Sequence, residues 1–207
     1  AFWFSILRSI ILGKWNTLHY SNPVNRFGIG TWVAATSIFG ILISKHFPKL
    51  ELIAQSIAIL NAAFWLFYIV ISMQALIMII QTGMTDKVHG ILLLTTVSTQ
   101  SIILLFHTVF GSIPVLYTIS LLTIGSSFYF LSLLLILKRY LGSDWSIEKD
   151  WNNTNCILHG ALSISGMACI VSGVATESSL ILLWVFTAIA FLIVETIEMY
   201  RLFRLVT

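Results

Sequence analysis

Charge is what this chain has least of. Only 9% of its 207 residues are Asp, Glu, Lys or Arg, against 58% hydrophobic, and the mean hydropathy is +0.97. A water-facing domain carries about a quarter charged residues. A globular cytosolic enzyme, a disordered chain and a nucleic-acid-binding module are therefore excluded. Proline is scarce too: Pro23, Pro48 and Pro114 are the full set. Each falls between apolar runs, where its missing N–H costs least. The two cysteines, Cys156 and Cys169, lie thirteen positions apart in one apolar run. In a helix that spacing is ~20 Å, too far for a disulfide. HExxH, paired CxxC and GxSxG patterns are all missing, so no metal, cofactor or nucleophile site is marked.

Long apolar runs are what is present. A membrane span needs roughly 20 apolar residues, and seven segments are expected: 1–13, 26–44, 52–80, 88–109, 115–136, 152–173 and 178–202. The first is too short to span alone and reads as the end of a helix. Its Arg8 follows no basic leader and no small-residue cleavage site, so a signal peptide is not expected. Pro23 stands in a favourable helix-start position. No alternating strand pattern competes with helices. The expected fold class is an all-α integral membrane protein built of helical hairpins.

Basic residues set the expected orientation. Lys14, Arg26, Lys87, Lys138, Arg139, Lys149, Arg201 and Arg204 fall in alternate breaks and the tail, whereas the other side holds only Lys45 and Lys49. By the positive-inside rule the first set is cytoplasmic and the C-terminal end lies inside. Segments 26–44, 88–109 and 152–173 then run outward, and their partners return.

The two members of each hairpin differ. The outward segments are rich in Gly, Ser, Thr, Asn and His, and the returning ones in Leu, Ile, Phe and Trp. One set suits a buried or water-filled position and the other suits lipid. His89, Thr96, Gln100 and His107 recur along one helical line, broadened by Thr95, Ser98 and Thr99. Asn152, Asn155, His159, Ser163 and Gly166 recur every three or four residues, and Gly30, Ala34, Ser37 and Ser44 make a third stripe. Such stripes have two readings. Small residues let helices approach closely, with hydroxyls bonding nearby backbone. Alternatively they line a conduit, and the candidates are then Gly30, Ala34, Ser37, Thr96, Gln100, His107, Asn155, His159, Ser163 and Gly166.

Buried charge is almost missing from these segments. Away from the segment ends, Arg8 is the only Lys or Arg inside one and Glu195 the only acid well inside one. Glu195 and Glu198 precede Arg201 closely enough for local pairing on one helix. A conduit walled by hydroxyls and amides binds its solute weakly, which favours conduction. Two rivals remain open. A proton-coupled carrier would use His89, His107 and His159 as a relay. A haem-bearing redox subunit would pair His89 with His159 and His107 with His46 as axial ligands.

The phrases RFGIGTWVAATSIFG, VHGILLLTTVSTQSIILL and WNNTNCILHGALSISGMA resemble, in order and placement, the tellurite-resistance/dicarboxylate transporter family. That family includes bacterial TehA-type channels and the plant slow-type guard-cell anion channels. The resemblance implies a ten-helix fold in five hairpins, with alternate helices lining a central pore and the others forming an outer layer. The three polar segments would be the third, fifth and seventh helices of that fold. The first helix, most of the second and the last hairpin would lie outside this chain. The pore-occluding phenylalanine belongs to the ninth helix, so no gate is assigned. The resemblance also implies a homotrimer in the plasma (inner) membrane with one pore per subunit. Its partners would be the lipid bilayer and small inorganic or organic anions, with C4-dicarboxylate, sulfite or tellurite as carrier substrates. No cofactor and no nucleic acid is implied.

Overall fold

The structure is a computed structural model that describes residues 2–142 and 144–206, with side chains described for residues 7–142 and 144–204. Seven helices carry the fold: α1 (Phe2–Ile11), α2 (Gly30–His46), α3 (Glu51–Thr82), α4 (Leu94–Phe110), α5 (Val115–Gly142), α6 (Ile157–Ser172) and α7 (Glu177–Val206). No strand occurs among the described residues. With their lead-in turns, α2 through α7 supply six helices long and apolar enough to cross a membrane. The ten-helix count is not reached among the described residues.

Local chemistry explains the boundaries. The Asn22 side chain accepts from the Val24 N–H at 2.9 Å, and Pro23 occupies the first helical position after it. The next turn, Phe27–Ile29, tightens before α2 proper begins. At the far end of the second hairpin member, Gly83 takes φ +66° and its N–H bonds the Ile79 carbonyl. A side chain rarely adopts that left-handed conformation, so the glycine ends α3. Gly173 ends α6 in the same way.

Two layers result. The polar helices pack side by side in the order α2, α4, α6. Behind them α3 covers α2 and α4, α5 covers α4 and α6, and α7 lies against α6. The middle of the row is the most enclosed, with 67% of the α4 span buried against 6% for the α7 span. The exposed large side chains of α3, α5 and α7 are Leu, Ile, Val, Phe, Met, Trp and Tyr. Such a surface matches a hydrocarbon environment.

Candidate functional site

Each row helix is entered through a tight turn, at Phe27–Ile29, Gly90–Leu93 and Asn153–Cys156. The three turns neighbour one another, so α2, α4 and α6 start at one end of the molecule. Gly90 is the closest point. A Cβ there would run into the Thr154 carbonyl and the Asn155 backbone. Its N–H instead donates to Asn155 Oδ1 at 2.8 Å, and Asn155 Nδ2 donates to the Tyr140 hydroxyl at 2.9 Å. Beside this, His89 Nδ1 and Thr154 Oγ1 lie 2.7 Å apart. Arg139 ties the same end together, donating to the Val88 carbonyl at 2.6 Å and the Asp150 carbonyl at 3.0 Å. Tyr140, Trp145 and Trp151 stack around it with ring centroids 4.8–6.2 Å apart. Burial pushes His89 down to about 4, and the nearby Arg139 charge adds to the effect. His89 is therefore a neutral hydrogen-bonding group at neutral pH.

The interior of the row is a polar network between helices. Asn61 of α3 donates to the Val33 carbonyl at 3.0 Å and to Ser37 Oγ at 2.9 Å, and Ser101 of α4 donates to the same Ser37 oxygen at 3.1 Å. Trp65 donates to Thr99, and the Tyr68 hydroxyl bridges the Phe27 carbonyl and Thr95. On the α5 side, Thr96 donates to the Gly125 carbonyl at 2.9 Å. The hydroxyls of α4 thus reach three different helices. Hydrocarbon supplies no water to satisfy them, so each seeks a neighbour's carbonyl or hydroxyl.

The ten predicted residues divide accordingly. Ser37, Thr96, Gln100 and Asn155 are fully buried in helix contacts. Gly30 is also buried, and a Cβ there would meet the Tyr68 hydroxyl at 2.5 Å and the Leu94 carbonyl at 2.9 Å. Ala34 is buried on α2, and His107 Nε2 lies 3.2 Å from Thr118 Oγ1 of α5. Gly166 looks toward Leu183 of α7. His159 turns toward α7 as well: its Nε2 is 3.4 Å from Glu195 Oε1, outside hydrogen-bond geometry, and its ring meets Phe191 edge-on. Ser163 remains exposed, donating only to the His159 carbonyl one turn back. The structure therefore unites Ser37 with Asn61 and Ser101, and Asn155 with His89's neighbour Gly90. It does not gather the ten around one line.

The expected local pairing on α7 is also replaced. Glu195 faces His159, Glu198 accepts from the Trp151 indole at 2.9 Å, and Arg201 bonds Asn153. Two of these partners are hydrogen bonds to the segment that leads into α6, at Trp151 and Asn153. The four histidines of the haem reading are likewise engaged separately: His89 with Thr154, His107 with Thr118, His159 with Glu195, while His46 sits exposed at the end of α2. Among the described residues no group of three or more His, Cys, Asp or Glu is placed to hold a metal ion.

One side of the row has no second layer. There α2 presents Thr31, Ala35, Ile38 and Leu42, and α6 with its lead-in turn presents Cys156, Gly160, Ser163 and Met167, in each case at helical spacing and partly or fully exposed. Between them α4 shows Leu94, Val97, Leu104 and Thr108 at partial exposure. A Cβ at Gly160 would meet nothing within 4 Å. Among these twelve residues the Cys156 thiol is the only ionisable group, and the α2 stripe runs on to the exposed Lys45 and His46 in the last turn of the helix. Comparison with protein-family models, with curated proteins and with solved structures finds no match. Fold and site together define a helical, membrane-embedded protein with an inner row poor in charge backed by an apolar layer.

Proposed function

We propose that the protein passes small anions across the membrane, with α2, α4 and α6 forming one wall of the path. The observation that carries this reading is the free side of the row. It mixes Gly, Ala, Ser and Thr with Ile, Leu, Val and Met, carries no fixed charge until the α2 terminus, and is backed by a lipid-facing layer. A wall of this kind holds no ion tightly, so selectivity follows dehydration cost and favours large monovalent anions. The aligned N-terminal ends of the three helices add a weak positive bias at one mouth. The family resemblance extends the proposal to a homotrimer in the plasma membrane with the C-terminal end inside.

Gly160 offers the direct test, because a Cβ there meets nothing within 4 Å. In proteoliposomes, Gly160→Phe should cut iodide influx at least tenfold while the thermal midpoint of unfolding stays within a few degrees. Influx equal to that of the unaltered protein would remove this face from the path.

The His159–Glu195 contact favours a second reading, a proton-coupled carrier. A histidine and a carboxylate 3.4 Å apart between α6 and α7 are the pair such a carrier would use. Uptake that is unchanged when the proton gradient is collapsed would count against it.

A further inference from the structure

Away from the free face, a cavity of about 190 Å³ opens between α2 and α3, lined by Thr36, Phe39, Ile57, Leu60, Asn61 and Phe64. Two of its wall residues are polar and buried, Thr36 at 9% and Asn61 at 2% exposure. The Thr36 hydroxyl and Asn61 Oδ1 find no hydrogen-bond partner in the protein. Asn61 is held fast by its other end, since Nδ2 donates to Val33 and Ser37. Its carbonyl oxygen therefore cannot turn away to another partner without breaking both bonds. Asn61 lies ten residues into α3, about 15 Å along it and hence near the middle of a ~30 Å hydrocarbon layer. An oxygen left bare at that depth is costly.

The cavity is reached from the side. Phe39 and Leu60 at its rim are 55% and 70% exposed on the lipid-facing surface. Its volume exceeds the ~150 Å³ of an engineered apolar cavity that takes benzene. We infer that this is a binding site for a small amphiphile bearing a single hydroxyl, of hexanol or phenol size, entering from the lipid phase. The apolar body fills the space between Phe39, Ile57, Leu60 and Phe64. The ligand hydroxyl pairs with the Thr36 hydroxyl, the one of the two oxygens whose side chain can turn without breaking a hydrogen bond. Both protein oxygens are covered by their neighbours, so binding includes rotation of Thr36 from one staggered position to another.

The test is photolabelling of the whole chain in lipid nanodiscs with a diazirine-bearing hexanol, followed by peptide mapping. Adducts are expected on the stretches holding Phe39 and Ile57–Phe64. Protection by 1-hexanol should exceed protection by hexane about three- to tenfold at matched membrane concentrations, the worth of one ordinary hydrogen bond. Thr36→Val keeps the shape and should lose that preference, and Leu60→Trp should close the rim and abolish the adducts. Adducts absent or elsewhere would overturn the inference. So would equal protection by hexane and hexanol, which would mean a cavity that recognises no hydroxyl or holds only water. An unchanged hexanol preference in Thr36→Val would overturn the assigned contact.

Discussion

His89 and Gly90 meet the Asn152–Asn155 turn as a pair, one by its ring and the other by its backbone. The pH behaviour follows from the ring. The folded protein holds His89 at about 4, below its ordinary 6.5, so between these values the unfolded chain binds more protons. This contribution to stability is fully present above about pH 6.5 and is lost as pH falls toward 4. The unfolding midpoint in detergent should drop over that window, and His89→Asn, which can still bond Thr154, should drop less. Identical pH profiles would contradict the assignment. Gly90→Ala forces a methyl group into the Thr154 backbone. The expected cost is about 3 kcal/mol, read as a lowered midpoint and a disordered α4–α6 contact. Neither role was legible beforehand, because the sequence marks His89 as one more polar residue on a stripe. Asn61 carries a clearer signal, as the one amide between Ile57 and Ile71 of a segment whose apolar composition points to lipid.

Gly125 and Gln100 show how the two layers fit together. A Cβ on Gly125 of α5 would lie 2.5 Å from Gln100 Nε2, and the Gln100 amide has no hydrogen-bond partner at either end. Gly125→Ala should therefore displace the unbonded Gln100 amide at a net cost of about 1 kcal/mol, part of the overpacking being offset by the better helix propensity of alanine. Gln100→Ala in the same chain should recover most of that loss. Additive losses in the double variant would show that the two do not share the site. The helices themselves were legible, since apolar runs of this length with proline at their breaks leave little alternative in a bilayer. The direction of the polar residues was not. A three- or four-residue period is the same whether a hydroxyl faces a conduit or a neighbouring helix, and only the packing partner decides. The lead-in turn Gly90–Leu93 was also hidden, since its Leu-rich composition matches the helix it opens, whereas the Asn-Asn-Thr-Asn stretch ahead of α6 carries a turn signal.

At the scale of the molecule, the row of α2, α4 and α6 and its backing layer join the sequence pattern to the proposed transport. The alternation of polar and apolar segments announced the two layers. What it did not announce is that the free face of the row is walled more by Ala, Ile, Leu, Val and Met than by the predicted hydroxyls. The side on which each end lies rests on the basic residues. A membrane-impermeant maleimide should label Lys49→Cys, in a chain lacking Cys156 and Cys169, from outside intact cells and label Arg204→Cys only after permeabilisation. The reverse pattern would invert the orientation. The central claim is anion passage, and the most direct measurement is current through a planar bilayer holding the whole chain under a chloride gradient. A reversal potential close to the chloride equilibrium value is expected, with iodide and nitrate passing more readily than chloride. A reversal potential close to the cation equilibrium value would contradict it.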